Sequence, residues 1–244
     1  MTTNPMHQFN VYRIGPEINI GKVDISFTNA SLFMALSALL IVGLFFFGTR
    51  KKTITPSKIQ LIAELSYTFV YKMLNDTVGS KGKPYFSFIF TLFMFVLFCN
   101  MLGMLPYSFT VTSHIIVTFV LAAIIFVGVT IIGFIKHGMG YLKLFVPSGV
   151  PLILLPLIVI IEIISYLSRP VSLSVRLFAN MMAGHTMLKV FGGFVVSLGL
   201  LGGWLPLSFS VALTGLEILV AFLQAYVFAI LTCIYLNDAL NLHH

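Results

Sequence analysis

The sequence predicts an all-α polytopic membrane protein of about five transmembrane helices plus one amphipathic interfacial helix, the last two long helices forming an antiparallel hairpin. Of its 244 residues, 59% are hydrophobic and 9% charged, and the mean hydropathy is +1.04, more apolar surface than one soluble core can hide. Long uncharged runs recur, with basic residues collected between them. An ordinary globular enzyme and a disordered chain are both excluded.

Residues 1–24 are mixed and polar, without the basic start, short apolar core and small-residue cleavage site of a secretory signal. Residues 25–49 carry no charge. At about 1.5 Å rise per residue such a run crosses a hydrocarbon layer of about 30 Å, which makes it the first span. Arg50, Lys51 and Lys52 follow, then Thr55-Pro56-Ser57, where Thr55 is placed to cap a helix with Pro56 at its first position. Over 56–80, Ile59, Ile62, Leu65, Phe69 and Met73 recur at helical intervals while Lys58, Glu64, Lys72 and Asp76 interrupt them, the pattern of a helix lying at the membrane surface.

Residues 84–136 hold an uncharged stretch, Pro84 to Ile135, that is too long for one span and is broken at Pro106-Tyr107-Ser108, which predicts two helices joined by a tight turn. Residues 144–238 are apolar with embedded charges, and the cluster Gly199, Gly202, Gly203, Trp204, Leu205, Pro206 divides them into helices over roughly 148–200 and 206–238. The whole chain reads as a single membrane domain.

The 14 Lys and Arg against 7 Asp and Glu give a net charge of +7, but its distribution speaks against nucleic acid. Seven basic and two acidic residues fall between Arg50 and Lys83, and Lys136, His137 and Lys143 lie after the next helix pair. The positive-inside rule puts both stretches in the cytoplasm or mitochondrial matrix, with the amino terminus outside and the carboxyl terminus inside. Cys99 and Cys233 sit in apolar runs without metal-ligand spacing and read as core residues.

Glu162, Arg169, Arg176, Lys189 and Glu217 stand inside hydrophobic sequence, where each charge costs at least about 2.5–3.5 kcal/mol at mid-bilayer. Lys189 is near enough to the outer turn to snorkel. Glu162, Arg169 and Arg176 are spaced by sevens, so they share a helix face, with Asn180 about 40° round from Arg176; Glu217 and Gln224 have the same spacing on the last helix. An antiparallel hairpin turning near residues 200–201 pairs positions whose numbers sum to about 401. Arg176 then faces Gln224, and His185 faces Glu217: a guanidinium held by an amide oxygen, and an imidazole beside a carboxylate. Glu162 lies about 20 Å inward of Arg176 along the helix and His185 about 13 Å outward, although His185 and Arg176 project about 180° apart.

The segment Ser172 to His185, SLSVRLFANMMAGH, resembles the signature of subunit a of F-type ATP synthase. Leu223-Gln224-Ala225-Tyr226-Val227-Phe228, the tail Ile234 to Ala239, His7-Gln8-Phe9 and Asn100 to Pro106 are similar to the same family. The resemblance implies a proton-translocating stator subunit, itself non-catalytic and without cofactor or metal. It has Arg176 facing a ring of c subunits, His185 and Glu217 on an outer half-channel, Glu162 on an inner one, and Asn180 and Gln224 as polar supports. Asn100 and His114 either line the outer path or serve helix packing. Implied partners are the c-subunit ring, the peripheral-stalk b subunits, the rest of the ATP synthase and membrane lipid. A bacterial inner membrane is implied, with the mitochondrial inner membrane as the alternative. A secondary transporter would show paired repeats, and a membrane enzyme would show a His cluster, an activated nucleophile or a phosphate loop; the sequence carries none of these.

Overall fold

The computed structural model describes all residues except 1–8, 16–18, 21–22, 25, 51–55, 106–107, 147–153 and 242–244, and, for side chains, 19–20, 23–24, 143–144 and 200–201 as well. His7, Gln8, Thr55, Pro106 and Tyr107 therefore lie outside the described residues. The chain is helical: α1 (Asn29–Thr49), α2 (Lys58–Val78), α3 (Phe86–Gly103), α4 (Ile115–His137), α5 (Leu155–Gly202) and α6 (Trp204–Leu240). Five stretches, 29–49, 58–103, 115–142, 155–199 and 204–240, are long and apolar enough to cross a membrane, and α2 shares the second of them with α3.

The polar residues before α1 fold back on its start. Asn19–Ile20 pairs antiparallel with Val23–Asp24, and the backbone of Ile14 donates to Phe27 at 2.8 Å. Helix α1 begins at Asn29 rather than at the first uncharged residue, because Thr28 and Ser31 cap each other: Ser31 Oγ accepts from the Thr28 amide at 2.9 Å and Thr28 Oγ1 from the Ser31 amide at 3.4 Å.

The cap of α2 is Ser57, not Thr55. Its hydroxyl accepts from the Gln60 amide at 3.3 Å, and Pro56 precedes the helix instead of opening it. Ala63, Val70, Met73, Leu74 and Val78 meet the bundle, whereas Ile59, Ile62 and Leu65 of the apolar stripe are 47%, 53% and 60% exposed. Small Ala63 approaches Gly48 of α1 closely, which lets the two helices pack on that narrow face.

The link between α3 and α4 is not a tight turn. Residues 104–114 form a longer connection containing a 3-10 turn at Val111–Ser113, and Thr110, Val111, Thr112 and Ser113 are all buried. Two of its hydroxyls are satisfied inside the protein: Thr112 Oγ1 donates to Asn100 Oδ1 at 2.8 Å, and Ser113 Oγ to the Thr110 carbonyl at 2.6 Å.

Helices α5 and α6 form the largest helix pair. Left-handed Gly199 (φ 62°) ends the regular part of α5, and the Gly203 amide closes the turn on the Gly199 carbonyl at 2.9 Å. Helix α6 is the centre of the bundle and packs on α2, α3, α4 and α5. Its buried positions Glu217, Ala221, Gln224, Ala225, Phe228, Thr232, Leu236 and Ala239 recur at three- and four-residue intervals, and the alanines let neighbouring backbones approach. Large apolar side chains are exposed on every helix, among them Val42, Ile116, Ile135, Ile164, Val196 and Val211, as a lipid-facing surface requires.

Candidate functional site

Helices α5, α6 and the 104–114 connection bring most of the expected polar residues together. His185 is 9% and Glu217 6% exposed, and His185 Nδ1 stands 3.4 Å from Glu217 Oε1. The expected facing of these two residues is present. On its other side the imidazole Nε2 lies 3.0 Å from Thr110 Oγ1. The carboxylate fits beside α5 because residue 184 is glycine: a Cβ there would stand 2.8 Å from Glu217 Oε1. Neither Glu217 oxygen makes a hydrogen bond among the described residues, so this buried carboxyl group has its imidazole neighbour and little else to satisfy it.

Gln224, 3% exposed, is also turned inward, but its amide oxygen is taken by Asn180, whose Nδ2 donates to it at 2.8 Å. Arg176 is not held there. The expected Arg176–Gln224 facing is off by one helical turn: the pairs that form across the hairpin, 185 with 217, 180 with 224 and 169 with 238, drift in register away from the turn. Arg176 is instead exposed on the surface of α5, and no carboxylate of the described residues lies within ion-pair distance of it.

The drift has a second consequence that sequence reasoning missed. Arg169 Nη1 reaches Asp238 Oδ2 at 3.1 Å, and its guanidinium lies 5.3 Å from the Tyr166 ring centroid and 5.1 Å from that of Tyr235. Tyr166 in turn meets Tyr141 at 2.9 Å and Thr130 at 2.7 Å, hydroxyl to hydroxyl. An Arg two turns from Arg176, followed far along the chain by a lone Asp at the end of an apolar helix, was the available signal.

Glu162 is half-buried on α5, with no ion pair among the described residues. Lys189 is exposed in the part of α5 nearer its turn into α6. Asn100 is fully buried and bonded on both sides: it accepts from Thr112, and its Nδ2 donates to the Ala221 carbonyl at 3.2 Å, tying α3 to α6. His114 begins α4 and stacks on Phe109 at 4.9 Å; burial holds its imidazole below the ordinary histidine pKa, partly offset by a hydrogen bond to the backbone of Phe9.

Five long apolar helical stretches, with buried polar side chains gathered between the longest two helices, define a polytopic membrane protein. The sequence profile of the ATP synthase A chain family matches residues 31–237. The chain belongs to that family. It is 80% identical to the ATP synthase subunit a of Pelagibacter ubique over 244 residues, the full length of both chains. It is 60% identical over 247 residues to that of Rhizobium rhizogenes, with 99% of this chain and 98% of the relative covered, and 58% identical to that of a Chelativorans strain over 250 residues and both full lengths. The chain is accordingly a non-catalytic membrane subunit that serves proton transport in ATP synthesis.

Proposed function

We propose that this chain is the stator against which a proton-driven ring turns, with Arg176 as the fixed charge that faces the ring and two half-channels that end on either side of it. The observation that carries the reading is the position of Arg176. It is exposed on α5, unpaired with any described carboxylate, and lies between a buried His185–Glu217 pair toward one end of the helix and Glu162 toward the other.

A guanidinium keeps its proton even where hydration is poor, so Arg176 stays cationic throughout a catalytic turn of the complex. It attracts a deprotonated carboxylate on a passing c subunit, and it repels a proton moving straight from one half-channel to the other. A ring carboxylate leaving Arg176 takes up a proton from the His185–Glu217 side, travels protonated through lipid, and releases it on the Glu162 side before returning. Each proton crossing 100 mV supplies about 2.3 kcal/mol, so several are needed for each ATP formed elsewhere in the complex. Asn180 and Gln224, bonded to each other beside Arg176, keep the α5–α6 seam polar at that level. By the positive-inside rule the basic stretches 50–83 and 136–143 favour the bacterial cytoplasm for the end of the bundle they occupy, and the peripheral-stalk b subunits hold the stator still.

The test is Arg176→Ala in the intact ATP synthase. The complex is expected to assemble and to lose proton-driven ATP synthesis, read in inverted membrane vesicles; normal coupled synthesis would overturn the assignment. A cysteine at exposed Ala179, one turn-face away, is expected to cross-link to the ring helix bearing the carboxylate.

A further inference from the structure

The buried contact of His185 with Thr110 is not absorbed by the reading above, on which the inference here rests. Thr110 Oγ1 has two partners: the Gly103 carbonyl at 3.2 Å and His185 Nε2 at 3.0 Å. A carbonyl only accepts, and this one also accepts from Ser108 Oγ at 3.0 Å; the two Thr110 contacts are both hydrogen bonds when its single hydroxyl proton goes to Gly103. The oxygen then offers a lone pair to Nε2, which must carry the N–H of the imidazole. Thr110 is itself 4% exposed, so both of its partners are protein groups. Its placement depends on Gly103, since a Cβ at that position would stand 2.7 Å from Thr110 Cγ2.

With Nε2 protonated, Nδ1 of neutral His185 is a bare lone pair, and it points at Glu217 Oε1 from 3.4 Å. Two lone pairs facing each other repel. The contact closes when one proton lies between the two atoms, as a carboxyl O–H toward Nδ1 or as an imidazolium N–H toward a carboxylate, and in either form the pair has zero net charge. Loss of that proton leaves the pair at −1; uptake of a second leaves an imidazolium beside a neutral carboxyl group, at +1. We propose that Thr110 is a positioning residue that fixes the tautomer of His185, so that all proton exchange of this pair runs through the Nδ1–Glu217 contact and the Nε2 proton is never passed on.

The charged group that acts on His185 from its own helix is Lys189, and α6 contributes Glu217. Helix α3 has no Asp, Glu, Lys or Arg, α4 has Lys136 only at its far end, and the described part of the connection adds His114 as its one titratable side chain.

The experiment is nitrogen-15 NMR of histidine-labelled, membrane-reconstituted ATP synthase, with His185 assigned by difference from His185→Gln. In the wild type, Nε2 is expected to remain protonated across the range in which an exposed histidine titrates, while Nδ1 changes. A neutral Nδ1–H tautomer would overturn the proposal without any variant having to fold. Thr110→Ser is expected to keep the wild-type tautomer and proton conduction within about two-fold, whereas isosteric Thr110→Val mixes the tautomers and slows conduction at least about ten-fold. Unchanged tautomer and conduction in Thr110→Val would sink the proposal. Failure of the underlying reading is separable: if His185→Ala conducts normally while Thr110→Val still mixes the tautomers, the Thr110 assignment stands and the outer half-channel falls.

Discussion

A buried ionisable side chain in this protein is tolerated by what its neighbours lack as much as by what they offer. Glu217 lies against α5 only because residue 184 has no side chain, and a methyl group there would meet Oε1 at 2.8 Å. Gly184→Ala is therefore expected to push the carboxylate off Nδ1 of His185 while leaving the helix itself intact, since alanine is the better helix former by about 1 kcal/mol. Proton conduction through reconstituted complexes should fall several-fold with normal assembly, and a wild-type rate would show that the close approach is not needed. Arg176 poses the opposite case. Nothing in the described chain neutralises it, and a mid-bilayer guanidinium left to lipid alone would be costly, so its partner is expected outside this subunit.

The α5–α6 hairpin is held at three levels by different chemistry. His185 meets Glu217 near the turn, Asn180 meets Gln224 in the middle, and Arg169 meets Asp238 at the far end, where Tyr166 and Tyr235 flank the guanidinium. The last pair is partly exposed, at 22% and 30%, so solvent screening limits its worth. Replacing Arg169 and Asp238 by alanine singly and together is expected to give a coupling of about 0.5–1 kcal/mol in the thermal stability of the purified complex, and Arg169→Lys should recover only part of it because ammonium loses the planar stacking. Strict additivity would mean that the two residues act independently. Helix α2 turns Ile59, Ile62 and Leu65 of its apolar stripe away from the protein and buries Met73 against it.

Across the whole molecule, buried polar groups concentrate between α3, the 104–114 connection, α5 and α6, while the outer surfaces are apolar on every helix. The orientation proposed from the basic loops is open to direct measurement. Cysteines in place of Met139 and Trp204, which are 78% and 65% exposed at opposite ends of the bundle, are expected to react with an impermeant maleimide from opposite sides of the membrane, Met139→Cys from the cytoplasm. Reaction of Met139→Cys from outside would reverse the topology, and labelling of both from one side would break it.

Hydropathy and charge alone determined the class of fold, the long hairpin and its glycine turn, since a bilayer admits few solutions for a chain with these uncharged runs. The spacing of Glu162, Arg169 and Arg176, and the facing of His185 with Glu217, were also legible, because helical periodicity and a nearby turn constrain them. Register farther from the turn was not. The register of α5 on α6 decided that Gln224 binds Asn180, that Arg169 finds Asp238, and that Arg176 is left at the surface. The role of Thr110 depended on a loop that buries its own hydroxyls, and such a contact between residues 75 positions apart has no periodicity from which to infer it.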